Sequence, residues 1–418
     1  MISSLSRLFF TFVIAAASFA SAEDWPQWRG PTGDNHASPG TTAPVRWTET
    51  EGVVWKTALP TGAGHSSPTI VGQRVYLTTG DAEAGTQSLL VLDRGSGELL
   101  RNELVHSGGL PAEIHPNNTH ASPTVASDGQ RVFALFHNDN AAWLTAFTLE
   151  GEKLWQQRVG GFDPQRYQFG FGSSPRVVDG LVIVSTEYDG PESGIYAVSA
   201  ETGDPVWKAT RPDSLSYSTP AIATLRGRKQ LFLTGNQMAA SYEVATGEKI
   251  WSVTAPSFAT CGTMVWDEKG ELVFGSGGYP ESFTLAVKLG GLPQVVWQNR
   301  VKCYEQSMLW SDGFIYAVAD SGVAYCWCGE DGEEMWKERL GGKFSSSPLL
   351  VDGKVYVTSE EGVMRVFSAS PEQFELISVN QLGDSGFATP TPVDGRLYHR
   401  YGKTENGVRQ EYLVAIGE

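Results

Sequence analysis

The chain has 418 residues and a formal net charge of −16 at pH 7. A surface this acidic repels nucleic acid and anionic lipid, so neither is an expected partner. The length alone suggests two or three domains, but an internal repeat would override that expectation.

Residues 1–22 have the organisation of a secretory signal peptide. Arg7 precedes an apolar run of about ten residues, and the A-x-A pattern at Ala20–Ala22 follows that run. The run is shorter than the roughly 20 residues that a spanning helix needs, which disfavours a membrane anchor, and no later segment could span a membrane. The cleavage site has no cysteine to which a lipid could be attached, so nothing in this segment indicates a lipid anchor. We predict a mature protein that starts at Glu23 and is periplasmic or secreted.

One phrase recurs along the rest of the chain. Gly64–Gly80 reads GHSSPTIVGQRVYLTTG, and Phe344–Glu360 reads FSSSPLLVDGKVYVTSE. The phrase predicts a hairpin whose inner strand begins at the proline. It consists of a hydroxyl residue before proline, a short apolar run, a turn and a second apolar run. The eight copies are anchored at Pro68, Pro123, Pro175, Pro220, Met264, Met308, Pro348 and Pro390. Their spacing of 40 to 55 residues is typical of a β-propeller with about four strands per blade.

A second phrase predicts the outer half of each blade. Ala197–Trp207 (AVSAETGDPVW) places a Thr-Gly turn before a strand that ends in Trp, and Glu150–Trp155, Tyr242–Trp251 and Glu330–Trp336 repeat this pattern. Glycine permits the tight turn. A Trp at a fixed place in each blade buries a large apolar area against its neighbour. We therefore predict a structural role for Trp55, Trp155, Trp207, Trp251, Trp297 and Trp336.

The two chain ends are predicted to share one blade. The last copy, Tyr412–Glu418, has no outer strand, whereas Val53–Leu59 has the outer-strand pattern and no blade of its own. Pairing them leaves no open sheet edge. The predicted fold class is therefore all-β, an eight-bladed β-propeller of four-stranded antiparallel blades, with residues 23–52 as a lead-in and residues 53–418 as the propeller. The alternative is seven blades with an irregular insertion around Phe258–Val296, where the pattern is weakest.

Four cysteines are expected to be core residues or disulfide partners: Cys261, Cys303, Cys326 and Cys328. An exported chain permits disulfides, and four cysteines allow three pairings that the sequence does not distinguish. The spacing of Cys326 and Cys328 is too short for a zinc pattern, and no histidine cluster lies nearby.

The two phrases resemble the repeat of pyrroloquinoline-quinone (PQQ) propellers, through the A-x-x-x-x-T-G-x-x-x-W run at Ala197–Trp207. The stretch Asp24–Gly30 (DWPQWRG), followed by Val53–Lys56, is also similar to the way in which such chains enter their propeller. The resemblance covers essentially the whole mature chain. It implies the fold but not the function, because the family includes quinoprotein alcohol and glucose dehydrogenases as well as the cofactor-free propeller of the outer-membrane β-barrel assembly machinery.

The predicted function is a non-catalytic binding or scaffold module without a cofactor. It would act as a monomer on an envelope or extracellular protein or glycan, including a role in outer-membrane protein assembly. The alternative is a quinoprotein dehydrogenase of alcohols or sugars, for which the resemblance implies PQQ over Ca²⁺ in the central funnel. The chain has no adjacent cysteine pair and no C-x-x-C-H haem motif, which departs from that alternative. No catalytic residues are predicted, since no Ser-His-Asp order, phosphate loop or H-E-x-x-H motif is present.

The segments before the inner strands are expected to meet at one mouth of the central channel. His65 and His120 lie three residues before proline in adjacent repeats, so they are expected to face each other, with His115 close by. Such imidazoles could bind an anion or a metal or could only cap strands, and nearby aromatics could stack on a ligand or plug the channel. We assign no metal ligands. The candidate binding residues are His65, His115, Asn117, His120, Gln168, Phe171, Tyr217, Tyr304, Glu305, Gln306 and Phe344.

Overall fold

A computed structural model describes residues 23–211 and 215–417. The predicted signal peptide therefore lies outside the described residues. The regular elements in the described part are β-strands, and they form eight four-stranded antiparallel sheets together with one short two-stranded sheet. Within the same residues, no helix is long and apolar enough to cross a membrane.

The first four blades follow one another along the chain, after strand β1 (Val53–Ala58). Blade 1 contains β2 (Thr69–Val71), β3 (Arg74–Asp81), β4 (Thr86–Asp93) and β5 (Leu99–Ser107). Blade 2 contains β6 (Ala126–Ser127), β7 (Arg131–Asn138), β8 (Ala141–Thr148) and β9 (Lys153–Gly161). Blade 3 contains β10 (Arg176–Val178), β11 (Leu181–Thr186), β12 (Gly194–Ser199) and β13 (Pro205–Thr210). After β14 (Leu215–Ser216), blade 4 contains β15 (Ala221–Leu225), β16 (Arg228–Gly235), β17 (Met238–Glu243) and β18 (Lys249–Thr254).

The remaining blades complete the ring. After β19 (Ala259–Thr260), which pairs in parallel with β14, blade 5 contains β20 (Val265–Trp266), β21 (Leu272–Gly277), β22 (Phe283–Lys288) and β23 (Gln294–Asn299). Blade 6 contains β24 (Leu309–Ser311), β25 (Phe314–Val318), β26 (Val323–Cys328) and β27 (Glu334–Arg339). Blade 7 contains β28 (Leu349–Val351), β29 (Lys354–Thr358), β30 (Val363–Ser368) and β31 (Leu376–Gln381). Blade 8 contains β32 (Thr391–Val393), β33 (Arg396–Glu405), β34 (Val408–Ile416) and, as its outer strand, β1.

Ring closure occurs as the sequence predicts. Strand β1 pairs antiparallel with β34, with Trp55 opposite Ala415 and Ala58 opposite Tyr412. Both ends of the chain thus lie in one sheet, which confirms the predicted fold. The seven-bladed alternative is wrong, because the segment from Val265 to Asn299 is a complete four-stranded blade.

Tight Asp-Gly turns connect the inner strands of several blades. In blade 7, Asp352 and Gly353 both have positive φ, at 47° and 67°. Asp179 and Gly180 in blade 3 behave in the same way, at 49° and 76°. Two consecutive residues with positive φ match the right-handed twist of the paired strands, and Asp and Gly tolerate this conformation at low cost.

The Trp of an outer strand docks onto the Thr-Gly turn of the next blade. The Trp207 indole donates a hydrogen bond to the Val244 carbonyl at 3.0 Å, and its ring lies over Gly247, where an added Cβ would come within 2.5 Å. Trp55 makes the equivalent contacts with Arg94 and Gly97 across the junction between blades 8 and 1. At these junctions the bare glycine surface lets the large flat ring pack closely on the backbone of the next blade.

Two junctions keep only part of this pattern: Trp155 lies over Gly203 without an indole hydrogen bond, and Trp336 donates to the Ser370 carbonyl in a turn that has no glycine.

Three further junctions replace the contact. Arg101 takes the place of Trp in blade 1 and packs against Gly151. Trp251 donates instead to Gln230 within its own blade. In blade 7 the position is Ser378, which donates to the carbonyl of Val45, so the lead-in segment fills the space that a Trp occupies elsewhere.

Eight hydroxyl side chains surround the axis where the inner strands begin. At six junctions, the backbone N–H of one blade donates to the hydroxyl of the next at 2.9 to 3.0 Å. These ring hydroxyls are Ser67, Thr124, Ser174, Thr219, Thr263, Ser307, Ser347 and Thr389. They bond neighbouring blades to each other at the narrowest part of the propeller, where buried N–H groups require partners.

The lead-in segment crosses one end of the channel. The Trp25 backbone pairs with β2 of blade 1, and the Gln27 side chain accepts a hydrogen bond from β10 of blade 3. Farther on, the buried Arg29 donates to the carbonyl before β24 of blade 6, and Asn35 donates to the carbonyl before β28 of blade 7. This segment therefore ties together inner strands from both halves of the ring and covers that end.

All four cysteines are free in the structure. Cys303 and Cys326 are fully buried and pack in the apolar core between blades. The core location is therefore observed for Cys303 and Cys326, whereas Cys261 and Cys328 are half-buried, and none of the four is paired in a disulfide.

Replacing Gly247 with Ala should destabilise the fold more than replacing Gly353 with Ala. Both glycines have positive φ (73° and 67°), so both substitutions carry the same backbone strain. Only the Gly247 methyl group would collide with Trp207, whereas no atom lies within 4 Å of a Cβ at Gly353. We expect Gly247→Ala to lower the free energy of unfolding by about 1–3 kcal/mol more than Gly353→Ala, measured by denaturant titration. Equal losses would contradict the docking role of the Trp.

Candidate functional site

A cavity opens at the end of the propeller opposite the lead-in segment. It encloses about 540 Å³ on the axis, and Trp28 forms its floor, with the indole N–H donating to the Thr263 hydroxyl at 3.0 Å. We call this cavity the cup. Because Trp28 belongs to the lead-in segment, the cup is open on one side only.

Each blade contributes one side chain, or a bare glycine, to a layer of the cup next to the ring hydroxyls. In an extended backbone, residues two apart point the same way, so the residue two before each ring hydroxyl also faces the axis. All eight of these positions line the cup: His65, Ser122, Gly172, Tyr217, Cys261, Glu305, Ser345 and Phe387. We call them the first layer. A second layer toward the mouth comes from the longer loops.

One wall of the cup is aromatic. The Phe169 ring lies 5.8 Å from Tyr217 and 5.9 Å from Tyr279, measured between ring centroids, and His115 meets its edge at 5.7 Å. The Tyr217 hydroxyl donates to the Tyr167 carbonyl at 2.5 Å, which fixes the ring. Rings held by one another in this way present a preformed apolar surface to a ligand.

A second aromatic contact lies across the junction of blades 8 and 1. The rings of His65 and Phe387 stack at 4.4 Å with an interplanar angle of 8°. Burial lowers the pKa of His65 to about 3, so this imidazole is neutral at physiological pH. The stacked pair therefore adds a flat surface and no positive charge.

Two lysines and two acids occupy matching positions in blades 6 and 7. The Asp320 N–H donates to the Lys302 carbonyl, and the Glu360 N–H donates to the Lys343 carbonyl. The Lys302 ammonium pairs with the Asp320 carboxylate at 3.0 Å. The Lys343 side chain has no such partner among the described residues and is exposed at the mouth.

Glu305 is the only acid in the first layer. It is mostly buried, and burial raises its pKa to about 7, with the nearby Glu360 and Asp320 acting in the same direction. The polar Ser345 hydroxyl beside it and the charge of Lys302 oppose that rise but do not cancel it. The cup thus holds a carboxyl group whose negative charge lacks a sufficient counter-charge.

Cys261 and Tyr304 lie side by side between Tyr217 and Glu305. Burial raises the pKa of both groups well above their usual ranges, so both stay protonated. A protonated thiol is a poor nucleophile and a poor metal ligand. We assign no covalent chemistry to Cys261.

The structure brings seven of the eleven candidate binding residues together in the cup: His65, His115, Asn117, Tyr217, Tyr304, Glu305 and Phe344. The other four lie elsewhere. Gln168 points to solvent, and Phe171 packs in the core against Phe162 with the centroids 4.9 Å apart. Gln306 is buried, with its amide donating to the Phe344 carbonyl.

His120 does not face His65, in contrast to the expectation from sequence. The segment from Pro123 to the start of β7 is two residues longer than the segment from Pro68 to the start of β3, so Thr124, rather than the residue before Pro123, takes the ring position. Ser122 then occupies the place equivalent to His65. His120 lies instead in a small separate cavity.

Several residues of the cup were missed by the sequence analysis. Asp320 and Glu360 stand in the matching phrases ADSGV and SEEGV, and aligning second hairpins as well as first ones would have found them. Trp28 and Tyr279 have no comparable signal, because one comes from the lead-in segment and the other from the most degenerate repeat.

Comparisons with known proteins agree with this architecture. The family profile described as outer membrane protein assembly factor BamB matches residues 36–170, 118–288 and 293–371, together more than half of the chain. No curated protein matches the sequence significantly.

Solved structures with the same fold come from both branches of the propeller group. BamB from Moraxella catarrhalis is 13% identical, with 87% of this chain and 99% of that chain covered and a TM-score of 0.58. A quinohemoprotein alcohol dehydrogenase from Pseudomonas putida is 12% identical, with 94% and 80% covered and a TM-score of 0.66. A europium-containing methanol dehydrogenase is 11% identical, with 94% and 98% covered and a TM-score of 0.54. At these identities the similarity concerns the fold alone.

The raised pKa of Glu305 should make stability fall as the pH rises. The folded protein binds this proton more tightly than the unfolded chain, whose pKa is about 4.5, so stability decreases between pH 4.5 and 7. We expect Glu305→Gln to remove up to roughly 3 kcal/mol of that decrease, since one pKa unit corresponds to about 1.4 kcal/mol. Denaturant titrations across this pH range measure it, with the exposed Glu375→Gln as control. The same pH dependence in both variants would contradict the assignment.

Proposed function

Since the chain belongs to the family described as outer membrane protein assembly factor BamB, we propose that it is an exported, non-catalytic binding module that receives a protein partner in the cup. The observation that carries this proposal is the cup itself. It is a one-sided, aromatic-walled cavity of about 540 Å³ at the centre of a closed ring. Such preformed concave surfaces are where binding is concentrated on rigid scaffolds.

The rigidity of the ring suits a scaffold. Trp docking, the hydroxyl ring and the strand shared by both chain ends connect each blade to its neighbours, so the loops at the mouth have fixed positions. A partner that binds such loops does not need to order them first, which lowers the entropic cost of association.

The residues of the cup do not suit a quinone held over a metal ion. A flat tricarboxylated quinone calls for cationic partners, and Ca²⁺ calls for six to eight oxygen ligands. The only cationic side chains that line the cup among the described residues are Lys302, which is already paired with Asp320, and the exposed Lys343. Among the described residues, no three His, Cys, Asp or Glu side chains are grouped so that they could hold a metal ion. This donor set favours a cofactor-free function.

The quinoprotein alternative has a direct test. Protein beginning at Glu23 is mixed with PQQ and Ca²⁺, passed through gel filtration, and assayed for quinone absorbance and for dye reduction with alcohols or glucose. We expect the quinone to elute separately from the protein and no substrate-dependent dye reduction. Retained quinone together with turnover would overturn the proposal.

Binding through the cup can be tested with matched variants. Phe387→Ala removes an aromatic face of the first layer, and Leu292→Ala truncates a side chain that is 91% exposed and far from the cup. Partners captured from an envelope fraction by the wild-type protein are identified and their affinities measured with all three proteins. We expect Phe387→Ala to weaken binding about tenfold or more, and Leu292→Ala to leave it unchanged. Equal affinities, or capture of a glycan in place of a protein, would contradict this function.

A further inference from the structure

We propose that the cup recognises an organic cation, namely the ammonium or guanidinium group of a basic side chain that the partner inserts along the axis. This inference rests on the proposed function, because it names the chemistry by which the partner is held. It is carried by the position of Glu305, a mostly buried carboxyl group that lines an aromatic-walled cavity below its open mouth.

The carboxylates of the cup exceed its available cations. Glu305, Asp320 and Glu360 all line it, whereas Lys302 is bound to Asp320 at 3.0 Å and Lys343 is exposed at the mouth. Glu360 accepts hydrogen bonds from Ser345 and Asn117, which are neutral. Burying a carboxylate is costly unless an opposite charge accompanies it. A cation that enters the cup would supply the missing charge.

The neutral side chains of the cup are those that cations prefer. Tyr217, Tyr279 and Phe169 form one wall, and Phe387 stacked on His65 forms another. The negative faces of aromatic rings attract ammonium and guanidinium groups within about 6 Å, most strongly where water is excluded. His65 is neutral at physiological pH because burial lowers its pKa to about 3, so it does not repel such a ligand.

Shape and long-range charge agree with this ligand. A cup of about 540 Å³ closed by Trp28 accommodates one long side chain or a short extended segment rather than a folded surface. The formal net charge of −16 draws basic partners toward the molecule at low ionic strength. The Asn118 side chain is not available to bind the cation. Its amide N–H donates to the Phe169 carbonyl, and its oxygen accepts from the Thr119 backbone N–H and the Ser122 hydroxyl.

Cation binding should be coupled to proton release. Glu305 has a pKa of about 7 in the free protein, and a cation beside it favours the ionised form. The apparent dissociation constant then varies with the ionised fraction, so binding should be about tenfold tighter at pH 8 than at pH 6. The pH dependence involves Asp320, Glu360 and Lys302 as well, since these groups face Glu305 from the neighbouring hairpins.

Isothermal titration calorimetry with defined probes tests this inference. The probes are a capped tripeptide with a central Lys, its Arg and norleucine analogues, and butylamine, each titrated at pH 6 and pH 8. We expect the Lys or Arg peptide to bind, the norleucine peptide to bind at least about tenfold more weakly, and protons to be released, as shown by buffers of different ionisation enthalpy. Binding of butylamine as tightly as the peptides would assign the site to free amines, whereas tighter peptide binding would assign it to protein side chains.

Two variants and one control complete the design. Glu305→Gln should weaken peptide binding at pH 8 about tenfold or more and abolish the difference between pH 6 and pH 8. Glu360→Gln provides a second test if Glu305→Gln does not fold, and Glu375→Gln on the outer surface should bind like the wild type. Equal binding of the Lys and norleucine peptides, or unchanged binding by both cup variants, would overturn the inference. If a captured partner still loses affinity with Phe387→Ala in that case, the proposed binding function would stand although the cation-binding inference would not.

Discussion

The docking of one side chain on the next blade is the contact on which the molecule depends. Trp207 on Gly247 and Trp55 on Gly97 connect consecutive sheets by an indole hydrogen bond and by close packing on bare backbone. No blade could bury its faces alone, since each is a small sheet with two apolar sides. Each blade is therefore covered on both sides only in the closed ring, and the strand that Val53–Ala58 adds to the last sheet closes it.

Closure also determines where chemistry can take place. The inner strands meet at the ring hydroxyls, and every position two residues earlier is directed to the axis. The lead-in segment covers the opposite end and contributes Trp28 as a floor. The result is a cup whose composition is set by one residue per blade, so that Glu305 stands among aromatic and neutral neighbours with no adequate counter-charge.

The repeat made the fold predictable, and the same repeat limited the prediction of the site. Recurring hairpin and Trp phrases gave the number of blades and the shared last sheet, because these depend on local turn chemistry and strand patterning. His120 was misplaced because two additional residues after Pro123 shift the strand register by two positions, so that Ser122 rather than His120 takes the place equivalent to His65. Trp28 and Tyr279 could not be found, since their positions depend on how the lead-in segment and a degenerate repeat pack in three dimensions.

The charge state of Glu305 is the property from which the cation-binding account follows. A titration of its side-chain carboxyl by carbon NMR, in the protein alone and with saturating lysine peptide, measures that property at the atom concerned. The account predicts a midpoint near pH 7 in the free protein and a clear decrease when the peptide is bound. A midpoint near the usual value of 4.5 in the free protein, or one that the peptide does not move, would contradict it.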